Sequence, residues 1–118
     1  MIEKMSESEG KILGFKAVGT VTKSDYKVLV PEVQTLIEKE GSISMLLDLR
    51  QFKWEDIGAW MADMNFGRTY HDKIDKMAIV GDKTWEKWMT ALAEPFYSKK
   101  ARFFYSEDID SAWKWLKE

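Results

Sequence analysis

The sequence predicts an α/β fold, a mixed and largely parallel sheet with helices packed on it. Three observations predict it. SISMLLDL at 42–49 is an apolar run of the type buried on both faces of a parallel sheet. MAIVG at 77–81 has the same character. Around these runs lie segments whose apolar residues recur at helical spacing, so strand and helix alternate as a parallel sheet requires.

MIEKM and then KILGFKAVGTVT read as two short strands, with Ile12, Val18 and Val21 set off by Gly10 and Gly14 as turn residues. A helix follows, opened by Thr22 or Ser24 as cap, with Tyr26, Leu29, Val30, Val33, Leu36 and Ile37 on one side and Gly41 as its stop. Pro31 lacks an amide hydrogen and clashes with the preceding turn, which predicts a kink or break there. After the strand at 42–49, residues 56–70 form the next helix, and after 77–81 residues 84–94 form another. That later helix places Trp85, Trp88, Met89, Leu92 and Phe96 on one face and ends at Pro95. ARFFY at 101–105 is the last strand. SEDIDSAWKWLKE is the last helix, with Ser106 as cap, acids in its first turn, and Ile109, Ala112, Trp113 and Leu116 inward. The order is β-β-α-β-α-β-α-β-α, and no linker or repeat divides residues 1–118, which read as one domain.

Composition narrows the function classes. Eighteen Lys and Arg nearly balance twenty Asp and Glu, and the charges alternate along the chain. No basic stripe exists to neutralise a phosphate backbone, so nucleic acid is not an expected partner. The acidic start MIEKMSESEG lacks the apolar core of a signal peptide, and no stretch reaches the length of a membrane span. A soluble, cytoplasmic protein without integral membrane insertion is the expectation. Zero cysteines fits a reducing compartment and removes disulfides, thiolate nucleophiles and cysteine-bound metals from consideration.

In open α/β sheets ligands usually sit beyond the carboxyl ends of the strands. Those ends carry Asp48 and Arg50, then Gly81, Asp82 and Lys83, then Tyr105, Ser106 and Glu107, with Trp54 and Trp85 just beyond two of them. The types suit a crevice walled by aromatics with a polar rim of Asp48, Arg50, Asp82 and Lys83. They equally suit solvated loops, in which Asp82 and Ser106 only cap helices. The helix at 56–70 carries two apolar faces: Ile57, Trp60, Met61 and Met64 on one, Ala59, Ala62, Phe66 and Tyr70 about 180° away at roughly 100° per residue. One face meets the sheet. The other needs a flanking helix, a second subunit or an apolar ligand, for which Met and Trp side chains are suited.

Other motifs point to structure. His71, with Asp72 and Asp75 close in sequence, has no second histidine and no metal-binding spacing, and a histidine in a helix's last turn complements the dipole. GDKT at 81–84 resembles the end of a phosphate loop, but Asp82 separates glycine from lysine and Lys76 stands where the first glycine belongs. Glu55 and Asp56 are ordinary dipole stabilisers at a helix start. No catalytic residue, metal site or cofactor is expected, and the protein does not read as an enzyme.

The succession LLDLRQF, then two tryptophans six residues apart, then MAIVGDKTW, then ARFFYSEDIDSAWKWL resembles the SpoIIAA-like branch of the STAS superfamily, which is related to bacterial anti-sigma-factor antagonists. The resemblance runs over nearly the whole chain and implies the same fold. In the antagonists it implies a serine after an aspartate, at the start of the helix following the central strand, phosphorylated to control partner binding. The matching stretch here is WEDIGAW, in which Asp56 and Gly58 align and Ile57 stands in the serine's place. No phosphorylation site is therefore expected; Thr69 is not at an equivalent position. The branch is also similar in shape to CRAL-TRIO carriers, which implies a pocket for small hydrophobic molecules.

Two functions follow as expectations. The first is a non-enzymatic domain binding a small apolar or amphiphilic molecule through Trp54, Trp60, Met61, Met64, Phe66, Tyr70 and Trp85, with Arg50 or Lys83 for a polar headgroup. The second is a regulatory protein-interaction module docking a partner, or a second copy as a homodimer, through the 54–70 surface.

Overall fold

The computed structural model describes residues 1–55, 57–82 and 98–118, with only the backbone of 54, 55, 57–60 and 63. Five strands form one sheet in the order β1-β2-β3-β4-β5: β1 Ile2–Lys4, β2 Ile12–Val21, β3 Ile43–Glu55, β4 Ile74–Gly81 and β5 Lys100–Tyr105. The first pair is antiparallel and the other three are parallel, so the sheet is mixed and largely parallel as the sequence implies. Among the described residues three helices flank it: α1 Tyr26–Glu40, α2 Ile57–Tyr70 and α3 Ile109–Lys117. The expected helix at 84–94, with Trp85, Trp88 and Met89, lies outside the described residues.

The connections β2-α1-β3 and β3-α2-β4 both step the same way across the sheet, and right-handed crossovers then put both helices on one face. Packing agrees. Tyr26, Leu29 and Val33 of α1 and Phe66 and Tyr70 of α2 join Leu13, Phe15, Met45, Met77 and Ile79 in one buried cluster. On the opposite face Ala112 and Leu116 of α3 bury against Leu46, Ala78, Val80 and Phe104. β3 serves both clusters, Met45 to one side and Leu46 to the other, which is why its run is apolar without alternation.

Several local expectations are corrected. β3 does not stop near residue 49 but runs on through RQFKWE to Glu55, because β2 is long enough to keep pairing with it. Gly14 is not a turn residue; it sits inside β2, opposite Leu46. Trp113 of α3 lies across it so closely that a Cβ at Gly14 would meet the Trp113 ring at 2.5 Å. Pro31 does not break α1, which is one helix from Tyr26 to Glu40. Pro31 and Lys27 are both exposed, so the carbonyl that loses its proline partner can be hydrated. A 3-10 turn at Lys23–Asp25 precedes α1, where Asp25 Oδ2 accepts the Thr22 amide at 2.7 Å, and Gly41 ends α1 with φ 87°. Ser106 does not cap the last helix. It opens a 3-10 turn, Ser106–Asp108, and its hydroxyl donates to Asp82.

The Gly14–Trp113 contact yields a test. Gly14→Ala should cost about 1–3 kcal/mol in urea unfolding through overpacking. Shortening Trp113 to Leu in the same chain should remove most of that added cost; an equal cost in both backgrounds would show that the contact is not its origin.

Candidate functional site

The strand ends meet where β3 changes partners. Up to Asp48, β3 pairs with β2 on one edge and β4 on the other, the last rung to β4 being Asp48↔Val80. Beyond it β3 continues against β2 alone among the described strands. The register there steps from Lys16↔Asp48 to Val18↔Gln51, so Leu49 and Arg50 face the single residue Ala17 in a bulge.

Asp48 is 1% exposed, the one acid in the buried run from Ile43 to Leu49. Its carboxylate is fully engaged by one residue. The Arg50 backbone amide, turned inward by the bulge, donates to Oδ1 at 3.1 Å, while Nε donates to Oδ1 at 2.9 Å and Nη2 to Oδ2 at 2.6 Å. Burial pushes the carboxyl's pKa up. The hydrogen bonds from Arg50 and the charges of Arg50 and Lys16 outweigh burial and hold it below the ordinary 3.8. Arg50 in turn is held above its usual value, chiefly by the hydrogen bonds to Asp48 and against burial, with Asp82 and Glu7 adding negative charge around it. Among the described residues, two cations, Lys16 and Arg50, share the area with three acids, Asp48, Asp82 and Glu7.

Of the polar rim, Asp48, Arg50 and Asp82 are brought to the same end of the sheet, Asp82 immediately after β4 and bonded to Ser106 just after β5. Lys83 lies outside the described residues, as does Trp85. Trp54 is placed by its backbone in β3 opposite Thr20, and Trp60 in α2.

The remaining candidates divide between the two faces of α2. Ala62 packs against the core, Phe66 and Tyr70 are 5% and 8% exposed, and their rings lie 5.0 Å apart. The Tyr70 hydroxyl donates to Gln34 Oε1 at 2.6 Å, tying α2 to α1. Met61 and Met64 look the other way, 67% and 47% exposed. Periodicity located both faces; the structure turns the one with Phe66 and Tyr70 inward. Gln34, Glu7 and Lys16 escaped sequence reasoning because their partners are distant in sequence. The one available signal was Asp48 itself, an acid inside a buried run.

The His71 group is not assembled as a site. His71 Nδ1 lies 3.1 Å from Asp72, whereas Asp75 accepts from Ser42 at 2.8 Å and pairs with Lys99 at 3.4 Å. Among the described residues no three of His, Cys, Asp or Glu are placed to hold a metal ion, and no helix is long and apolar enough to cross a membrane.

The Asp48 geometry predicts an acid limb. A carboxyl whose folded pKa is depressed contributes fully above about pH 4 and loses that contribution as pH falls through its folded value. Asp48→Asn should therefore flatten the loss of unfolding free energy as pH falls below about 4, leaving the share of Asp25, whose carboxyl is pushed up by burial yet held low overall by the Thr22 amide. An unchanged acid limb would contradict this role.

Comparison with known proteins places the architecture. The chain is similar to an uncharacterized protein of the DUF3478 family with a SpoIIAA-like fold from Shewanella loihica, with 28% identity, a TM-score of 0.80, and coverage of 98% of this chain and 93% of that one. It also superposes on the unphosphorylated form of the anti-sigma factor antagonist SpoIIAA, with a TM-score of 0.59 over 97% of this chain and 98% of that one, at 6% identity; this is likeness of fold alone. No curated protein matches. The SpoIIAA-like family model matches residues 12–117, from the start of β2 to the end of α3, and the chain belongs to the SpoIIAA-like family.

Proposed function

We propose that this protein is a non-enzymatic interaction module that docks an apolar surface of another protein onto the outer face of α2. One observation carries the reading: Met61 and Met64, one turn apart, stand 67% and 47% exposed on a helix whose opposite face is anchored in the core. Unbranched thioethers adapt to irregular apolar partners, and an anchored helix presents them without ordering cost. Exposed Arg68 continues the same stripe one turn on, which favours a partner with an acidic group beside its apolar patch. The engagement of Asp48 by Arg50, and of Asp75 by Ser42 and Lys99 away from the His71–Asp72 pair, support a non-enzymatic role. A cysteine-free chain suits the bacterial cytoplasm.

The carrier reading uses the same helix. Phe66 and Tyr70 are engaged in packing and with Gln34, which leaves Met61 and Met64 as the exposed apolar side chains among those described on α2, and we rank the interaction reading first.

A photo-crosslinking side chain at 61, compared with one at exposed Lys39 on α1, tests this in cells. The expected result is one defined protein adduct from position 61, absent from position 39 and weakened about tenfold or more by Met64→Asp. Met64→Asp should leave unfolding free energy within about 0.5 kcal/mol, since the residue is on the surface. Equal labelling from both positions would sink the docking reading. A stoichiometric apolar adduct in native mass spectrometry, lost in Met61→Asp, would replace it with the carrier.

A further inference from the structure

We infer that the Asp48–Arg50 clamp is a lock on a locally opening unit, the β3 arm at residues 49–55, which sets the position of α2 relative to the sheet. The inference rests on the change of partners at Asp48 and stands apart from the docking reading; only its consequence for a partner depends on that reading.

Three features converge. First, β3 beyond Asp48 is held to β2 alone among the described strands, through Gln51, Phe52, Trp54 and Glu55. Second, that pairing is interrupted twice. The bulge at Leu49 and Arg50 is followed by a second register step between Gly19↔Phe52 and Thr20↔Trp54, which leaves Lys53 as an extra residue beside Gly19, itself at φ 66°. Each extra residue leaves backbone groups out of the ladder, so this arm is hydrogen-bonded less cooperatively than the part of β3 before Asp48. Third, the described arm ends at Glu55 and α2 begins at Ile57, so the arm and the first turn of the helix are close neighbours along the chain.

Among the described residues, two features hold the arm besides its pairing with β2. Leu49 and Phe52 seat it in the core with α1 and α2, at 8% and 6% exposed. The first bulge is then fixed by the carboxylate of Asp48, which takes both the backbone amide and the guanidinium of Arg50. A carboxylate this buried keeps its charge only while Arg50 is folded back on it, and Arg50 can fold back only in the bulged backbone. Side-chain pair and bulge therefore form and release together. The rungs from Ser44 to Asp48, which join β3 to both neighbours, do not depend on that pair.

Amide hydrogen exchange under native conditions tests the lock on three chains: the parent, Asp48→Asn, and Asp48→Asn with Arg50→Met, which removes both charges so that neither is buried alone. The expected result is exchange about tenfold or more faster at 50–55 in both variants, with 44–47 and 77–80 within about twofold of the parent. If Asp48→Asn alone fails to fold, the double variant gives the decision. Uniform acceleration across 44–55 and 77–80 would overturn the proposal, because the pair would then only add to global stability. Unchanged exchange at 50–55 would overturn it too.

Discussion

The structure depends on one strand being satisfied on four sides. From Ser44 to Asp48, β3 is hydrogen-bonded to β2 and β4 at its edges and covered by helices on both faces. A strand in that position exposes little to water, and Met45 and Leu46 are buried on opposite sides with Leu47 half-buried beyond them. Asp48 is the point at which this regime ends. It is as buried as its neighbours, so its charge is tolerable only because the chain turns back within two residues and supplies three donors.

The two faces are closed by different means. On one, α1 and α2 are crossover helices whose side follows from the handedness of the connections, and Tyr70 and Gln34 bond them to each other. On the other, α3 is a terminal helix that no crossover constrains, and specific contacts place it. Trp113 crosses Gly14, and Lys76 of β4 donates to the carbonyls of Trp115 and Glu118 at 3.0 and 2.9 Å while its ammonium sits 5.3 Å from the Trp115 ring centre. A lysine at a helix C-terminus satisfies carbonyls the helix cannot and complements its dipole. A long chain of favourable position thus substitutes for topology on this face.

Most of the fold was legible where burial imposes a period. The runs at 43–47 and 77–80 declared themselves as two-sided strands, and the stripe in α3 declared Ala112 and Leu116 as inward. What escaped was decided by partners distant in sequence. RQFKWE alternates polar residues with Phe52 and Trp54, a short strand signal masked by its charges, and it is strand because β2 extends alongside it through two bulges. Gly14 looked like a turn because a strand glycine has no local reason to exist; its reason is Trp113, nearly a hundred residues away. In α2 both faces were visible and their roles were not, since periodicity is blind to which of two apolar stripes meets a sheet. The polar rim was legible as a location through Asp48, Arg50 and Asp82, while its mutual neutralisation required coordinates.

The central claim is that Asp48 and Arg50 act as one unit on which the upper half of β3 depends. A double-mutant cycle measures this directly, with Asp48→Asn, Arg50→Met and the double variant compared by urea unfolding at neutral pH. Because Arg50 is 38% exposed, solvent screens part of the attraction, and the expected coupling is about 1–2 kcal/mol rather than the larger value of a dry pair. Additivity within about 0.3 kcal/mol would contradict the account, since two residues whose losses simply add are not holding one another.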